Sequence, residues 1–331
     1  MPARLDQLHT WVRTVLNVRE YSLTPASEDA SFRRYFRLQY DMQSFIIMDA
    51  PPEHENCETF IDIALRLQKA GVNVPVIMQK DIEQGFLLLT DLGNTLYLQE
   101  LEGQNADKLY SDATSALLDI QCKGDTSGLP SYDETLLRNE MQLFPDWLLG
   151  RHLQISLTAT QQKELHGIFD LLVDSALSQP QVFVHRDYHS RNLMYCPEHN
   201  PGIIDFQDAV IGPGTYDVVS LLKDCYIKWP ADTTNKRALE FLERSQFGKI
   251  DSRQFLRWFD LMGVQRHIKV GGIFARLYHR DHKAGFLKDI PRTLSYITDL
   301  ENQYSELGFL VELIRKEINP KLDEVNRSCA P

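Results

Sequence analysis

Phe183-Val184-His185-Arg186-Asp187-Tyr188-His189-Ser190-Arg191-Asn192, followed by Ile203-Ile204-Asp205-Phe206-Gln207-Asp208, decides the reading of this chain. In the first segment an aspartate stands directly after His-Arg, and an asparagine follows with four residues between. That spacing serves phosphoryl transfer: the aspartate, here Asp187, receives the proton of an attacking hydroxyl, and the asparagine, here Asn192, binds magnesium. In the second segment an acid closes an apolar pair, so Asp205 is the expected second ligand for a magnesium ion carried on ATP.

The residues between the two segments explain how they meet. Leu193-Met194-Tyr195-Cys196 reads as a short strand, and Pro197-Glu198-His199-Asn200-Pro201-Gly202 is dense in turn formers. Ile203-Ile204 then returns as a second strand. An antiparallel hairpin starts and finishes at one end, which brings Asn192 and Asp205 together with Asp187 just upstream. Two oxygen ligands side by side suit magnesium, which keeps waters and takes its remaining ligands from phosphate.

With these segments in view, the chain resembles the aminoglycoside phosphotransferase and choline-kinase superfamily. Within it, the chain is most similar to the anomeric sugar kinases that phosphorylate N-acetylmuramate and N-acetylglucosamine at C1. Further matching stretches are Asp29-Ala30-Ser31-Phe32-Arg33-Arg34-Tyr35-Phe36-Arg37, Met48-Asp49-Ala50-Pro51-Pro52, Gly212-Pro213-Gly214-Thr215-Tyr216-Asp217, Gln265-Arg266-His267 and Phe274-Ala275-Arg276, so the likeness covers nearly the whole chain. The resemblance implies an α+β, protein-kinase-like two-lobed fold. Residues 1–92 would form a small, mostly antiparallel sheet lobe over the nucleotide. Residues 93–331 would form a mainly helical lobe with the catalytic loop, metal site and acceptor pocket. ATP and Mg2+ would sit between them, and the γ-phosphate would pass to the anomeric hydroxyl of an amino sugar, feeding recovery of cell-wall sugars. Two alternatives stay open: a kinase for an aminoglycoside or another small alcohol, and a non-catalytic nucleotide-binding protein. A protein kinase is disfavoured, because Asp205-Phe206-Gln207 replaces Asp-Phe-Gly and no Ala-Pro-Glu follows.

Composition narrows the class. The 331 residues are enough for two lobes, and 43% hydrophobic with 24% charged residues is ordinary for a globular chain. A net charge of −11 argues against a nucleic-acid partner and against attachment to anionic lipid. The five cysteines are scattered and never spaced Cys-x-x-Cys, which disfavours zinc and a disulfide framework. With no apolar run behind a basic start and no stretch of about 18 apolar residues, the expectation is a cytoplasmic monomer acting on a small molecule away from membranes.

In the first lobe, Tyr35–Leu38 and Phe45–Met48 carry strand formers around a turn at residues 41–44. The polar loop at residues 27–31 is expected over the ATP phosphates, with Ser31 in it, because small residues let backbone N–H groups approach an anion. Arg33, Arg34 and Arg37 follow. Arg33 is expected to contact phosphate, sharing a strand face with Arg37, and the remaining arginines are expected to be solvated. The strand ending Ile46-Ile47-Met48-Asp49 lacks the lysine that usually pairs the α- and β-phosphates. Residues 55–70 read as a helix with Phe60, Ile63, Ala64 and Leu67 inward and Glu58 at the surface. Gly85–Leu89 reads as a buried strand. The resemblance makes its exit the hinge between lobes, with backbone groups from Leu89 to Asp91 on the adenine edge.

In the second lobe, helices are expected at residues 107–121, 134–150 with a break at Pro145, and 161–178. The resemblance places Glu140, with Trp147 and Arg151, beside the acceptor. Arg186 would hold the loop or the substrate, and His189 and Arg191 lie within reach of the acceptor. His185 is expected to brace the loop and Asp208 to support the metal site. Gly212-Pro213-Gly214 reads as a rigid turn and Thr215 as a helix cap, while the resemblance makes Asp217 a tether for the catalytic loop. Two further helices are expected at residues 235–247 and 251–282. The second gathers Arg266, Lys269, Arg276, Arg280 and Lys283, read as a solvated face or as the reader of an acceptor carboxylate. Terminal helices follow, and the tail after Pro320 is expected to be loose.

Overall fold

The computed structural model describes residues 2–28, 32–101, 103 and 105–328. Its first third is one five-stranded antiparallel sheet with a helix on each face. Helix α1 (Pro2–Leu16) leads into β1 (Ser22–Glu28), β2 (Arg34–Tyr40) and β3 (Gln43–Asp49); α2 (Cys57–Lys69) then precedes β4 (Ile77–Asp81) and β5 (Phe86–Thr90). The spatial order is β1-β2-β3-β5-β4. Asp41 and Met42 both take positive φ, 45° and 61°. This two-residue turn matches the twist of the flanking strands, so β2 and β3 run longer than the expected four-residue turn allowed.

Strand alternation accounts for the two helices. Leu38, Ile47, Phe86 and Leu88 pack against Leu8, Trp11 and Val12 of α1. Met48, Leu87 and Leu89 join the main core with Phe60, Ile63, Ala64 and Leu67 of α2. Because both faces are covered, β5 reads as a continuous apolar run rather than an alternating one. Asn56 caps α2, its side chain accepting from the Glu58 N–H at 2.8 Å.

The remainder is mainly helical: α3 (Tyr97–Glu100), α4 (Ala106–Lys123), α5 (Glu134–Leu143), a π-helical run Phe144–His152, and α6 (Ala159–Leu177). Short strands β6 (Gln181–Val184), β7 (Leu193–Met194), β8 (Gly202–Ile203) and β9 (Val210–Pro213) carry the candidate site. Helices α7 (Tyr216–Leu222), α8 (Ala231–Arg244), α9 (Ser252–Asp281), α10 (Ile290–Thr298), α11 (Gly308–Leu313) and α12 (Asn319–Ser328) complete it. The 30-residue α9 is buried nearly all round from Phe259 to Leu277 and forms the axis of this lobe. It meets α5 backbone to backbone: a Cβ on Gly272 would lie 2.4 Å from the Leu143 carbonyl carbon.

Three expectations are corrected here and one is refined. The break expected at Pro145 is a change of helix type: α5 ends at Leu143, and Pro145 lies in the first turn of the π-helical run, where its missing N–H is least costly. Gly212 and Pro213 are not a free turn but part of β9, paired antiparallel with β6. Thr215 does not cap α7; its hydroxyl donates to Gln179 Oε1 at 2.7 Å. Among the described residues, the tail after Pro320 is helical as far as Ser328 and anchored by Leu322, which is buried. Among the described residues, no helix is long and apolar enough to cross a membrane.

Candidate active site

Strand β6 delivers the loop of residues 185–192, and its first residue is a brace. His185 is fully buried, and burial pushes its imidazole down to about 4, so the ring is neutral at ordinary pH. A neutral ring has one N–H. Nε2 donates it to the Ile204 carbonyl at 3.1 Å, leaving Nδ1 to accept from the Asp187 N–H at 3.3 Å. The next residue, Arg186, has φ 77°, a conformation unfavourable for a side chain with a Cβ. Asp217, from α7, holds that bend by accepting from the N–H groups of His185 at 2.6 Å and Arg186 at 3.0 Å. Complete burial drives the Asp217 carboxyl up to about 7 against these bonds.

The three residues singled out for the chemistry converge. Asn192 Nδ2 donates to the Asp187 carbonyl at 3.0 Å and to Asp205 Oδ2 at 3.1 Å. The β7–β8 hairpin sets this up: Leu193 pairs with Ile203, and the Ile204 N–H reaches the Asn192 carbonyl at 3.1 Å. Asp205 takes φ 63°, turning its side chain out of the strand direction, and Gln207 Nε2 donates to its Oδ1 at 2.7 Å. Burial would raise the Asp187 carboxyl, but Lys269, His189, Arg266 and Arg186 outweigh it and hold the group below the usual carboxylate range. It is an ionised acceptor near neutral pH.

The donor set fits magnesium. With both Asn192 N–H bonds committed, its amide oxygen is left to face a cation, beside the Asp205 carboxylate. Among the described residues there is no group of three or more His, Cys, Asp or Glu able to hold a metal alone. One carboxylate and one amide suit a hard cation that draws its other ligands from phosphate and water.

Beneath the loop lies a charge network whose make-up differs from expectation. Glu140 and Arg186, both expected at the acceptor, are each other's partners, and Lys269 Nζ lies 2.9 Å from the same Glu140 carboxylate. Tyr132 donates to its other oxygen, and Lys269 also reaches the Tyr216 hydroxyl at 2.9 Å. Glu140 is only 6% exposed, so its carboxylate is satisfied from within and braces the loop. Burial would raise the Glu140 carboxyl, yet Lys269 and Arg186 pull it below its usual value. Arg266 and Lys269 are buried as well, which corrects the solvated-face reading for this part of α9. Arg266 Nη1 donates to Cys225 Sγ at 3.3 Å.

Asp224 was not anticipated. It is buried, and its carboxylate accepts from the N–H groups of Ser190 and Tyr226, both at 2.9 Å. It follows Asp217 by seven residues, two helical turns, and that spacing was the available signal. One helix and its exit therefore hold both ends of the Asp187 loop. His189, expected at the acceptor, packs edge-on to Tyr226, ring centroids 5.5 Å apart, and burial lowers its imidazole.

On the sheet, Ser31 lies outside the described residues. Arg33 precedes β2 and pairs with Glu55 at 2.7 Å. Arg34 pairs with the fully buried Asp49, which Arg4 also reaches at 2.8 Å. Arg37 grips Asp91 with two bonds of 2.7 and 3.0 Å. The expectation of solvated arginines is corrected: each has a carboxylate, because Asp49 ends β3, Asp91 directly follows β5 and Glu55 lies in the loop before α2. Asp91 also accepts from the Gly93 N–H at 3.0 Å, fixing the chain as it leaves β5, where Leu89 lies between Ile46 and Ile77.

A family model described as "Phosphotransferase enzyme family" matches residues 22–259. The N-acetylmuramate/N-acetylglucosamine kinase of Pseudomonas putida is 47% identical over 325 residues, covering 94% of this chain and 96% of that protein. A protein of the same name from Neisseria meningitidis serogroup B is 39% identical over 329 residues, with 95% and 97% covered. Among solved structures, choline kinase LicA from Streptococcus pneumoniae superposes with a TM-score of 0.60 at 13% identity, covering 88% of this chain and 97% of that one. The ADP-bound aminoglycoside phosphotransferase APH(2'')-Ib gives 0.59 at 14% identity, with the same coverage. These likenesses establish an α+β, kinase-like fold.

Proposed function

Because the chain belongs to the phosphotransferase enzyme family, we propose that it is an ATP- and magnesium-dependent kinase for the anomeric hydroxyl of N-acetylmuramate and N-acetylglucosamine. The observation that carries this reading is the position of Asn192, hydrogen-bonded to Asp187 on one side and Asp205 on the other. The names of the relatives at 47% and 39% identity supply the acceptor.

In this reading the lobes divide at residues 92 and 93, with the nucleotide between them and its adenine on backbone groups of Leu89 and Asp91. Ser31 belongs to the loop over the phosphates, and Arg33 would reach phosphate only by exchanging its Glu55 partner. Asn192 and Asp205 would hold magnesium, which would supply positive charge to offset that of the phosphates. Asp187 accepts the hydrogen bond of the sugar C1 hydroxyl, aims its oxygen at the γ-phosphorus and takes its proton as the new O–P bond forms and the bond from the γ-phosphorus to the bridging oxygen breaks, releasing ADP. A strong base is unnecessary, because positioning and charge neutralisation dominate this reaction. His189 stands at the acceptor side of the loop. Glu140, Lys269 and Asp217 keep Arg186 and the Asp187 backbone from relaxing.

A polycationic aminoglycoside is the weaker acceptor. Glu140, Asp217 and Asp224, the acids packed on the loop, are already engaged by cations or N–H groups. A cytoplasmic setting fits the four described cysteines, Cys57, Cys122, Cys196 and Cys225, all of which are free. The test is incubation with ATP, magnesium and each sugar in turn. Sugar-dependent ADP release with formation of a sugar 1-phosphate is expected; ADP release indifferent to both sugars would remove the acceptor assignment.

A further inference from the structure

The catalytic loop carries two arginines with opposite circumstances. Arg186 is answered by Glu140. Arg191, one residue before Asn192, is exposed, and among the described residues it has neither a hydrogen bond nor an ion pair. Its guanidinium instead lies over two rings, 4.7 Å from the centroid of Tyr226 and 5.4 Å from that of Phe286. Phe286 stacks on Phe274 with centroids 5.4 Å apart, and Tyr226 meets Phe274 at 6.1 Å. Three aromatic rings thus form a platform under one cation.

That platform is rigid for a reason already described. The Asp224 carboxylate holds the Ser190 N–H and the Tyr226 N–H at once, so the loop and the ring under Arg191 share one anchor. A guanidinium resting on aromatic faces keeps its N–H edge outward and loses little freedom when an anion arrives. Arginine's planar fork matches a carboxylate with two parallel bonds. The two sugars of the proposed function differ in that group. N-acetylmuramate carries a lactyl ether on its C3 oxygen, ending in a carboxylate, where N-acetylglucosamine has a neutral hydroxyl.

We propose that Arg191, held on Tyr226 and Phe286 beside the Asp187–Asn192 pair, reads the lactyl carboxylate and sets the preference for N-acetylmuramate over N-acetylglucosamine. This rests on the proposed function and adds to it the residue that separates the two acceptors. The role is recognition alone: no bond changes at Arg191.

The experiment compares kcat/KM for both sugars in the wild type, Arg191→Met and Arg191→Lys. In Arg191→Met the ratio of N-acetylmuramate to N-acetylglucosamine should fall ~10- to 100-fold, the worth of a charge-assisted hydrogen-bond pair. Arg191→Lys, which keeps the charge without the fork, should recover part of that loss. The methyl ester of N-acetylmuramate, which lacks the negative charge, should be turned over with little sensitivity to the substitution. An unchanged ratio in Arg191→Met overturns the assignment, including the case where both rates drop together because the aromatic platform has shifted. A wild-type enzyme inert toward both sugars removes the functional reading itself, and this inference with it.

Discussion

Asp187 can be separated from its surroundings by one atom. Asp187→Asn keeps the shape and the backbone bonds to His185 and Asn192 but removes the proton acceptor. We expect kcat to fall by about 10²- to 10⁴-fold, the usual range for general-base catalysis, with a cooperative melting transition retained. Steady-state kinetics beside a melting curve checks both halves. Glu140 makes a different prediction. Its carboxyl is below the ordinary value in the folded chain because Lys269 and Arg186 outweigh burial. The folded state therefore takes up this proton less readily than the unfolded chain does. The stability it contributes is present above the ordinary glutamate value and disappears as pH falls through the lowered one. Glu140→Gln should cost about 3 kcal/mol at neutral pH, since two buried cations lose their counter-charge. Urea unfolding at neutral and at acid pH should show the gap from wild type narrowing on the acid side; a constant gap would count against the network. At this scale the sequence was readable where partners are near in the chain. Asp187, Asn192 and Asp205 lie on one loop and hairpin. Glu140 and Arg186 are 46 residues apart, and nothing local in either announces the other.

The elements were legible wherever the apolar period was clear. Helix α2 buries the four residues read as inward, Phe60, Ile63, Ala64 and Leu67. Strand β9 was not legible, because Gly212-Pro213-Gly214 has the chemistry of a turn, and only pairing with β6 makes it a strand. Of the cations on α9, Arg280 is exposed as expected, but Arg266 and Lys269 are buried, which the sequence hid for a related reason. Amphipathic pattern separates apolar from polar but cannot tell water from a buried carboxylate, and Lys269 faces Glu140. The contact that brings those two helices together is testable. Gly272 sits where α9 touches the α5 backbone, and an added Cβ would fall 2.5 Å from the Leu143 oxygen. Gly272→Ala should therefore destabilise by about 1–3 kcal/mol, although alanine is the better helix former. Denaturant midpoints measure this. A stabilised variant, as propensity alone would give, would place the helices farther apart than described.

Charge is the property that ties the whole molecule to its cofactor. The chain carries a net −11, and a nucleoside triphosphate is itself an anion, so long-range repulsion opposes binding. A sheet cation would offset this locally, yet Arg33, Arg34 and Arg37 are committed to Glu55, Asp49 and Asp91, and Met48 stands where a lysine was absent. In the proposed reading, neutralising the phosphates then falls to the magnesium ion assigned to Asn192 and Asp205. ATP binding should accordingly depend on magnesium far more than in a kinase with a free strand lysine. A ligand at a hundred times its Kd stabilises the folded state by about 2.7 kcal/mol, enough to raise the melting temperature by several degrees. We expect that shift with ATP and magnesium, and less than half of it with the same ATP in excess EDTA. Asp205→Ala should erase the difference between the two conditions. Equal shifts with and without magnesium in the wild type would mean that the sheet arginines, Arg33 first among them, give up their carboxylates for phosphate.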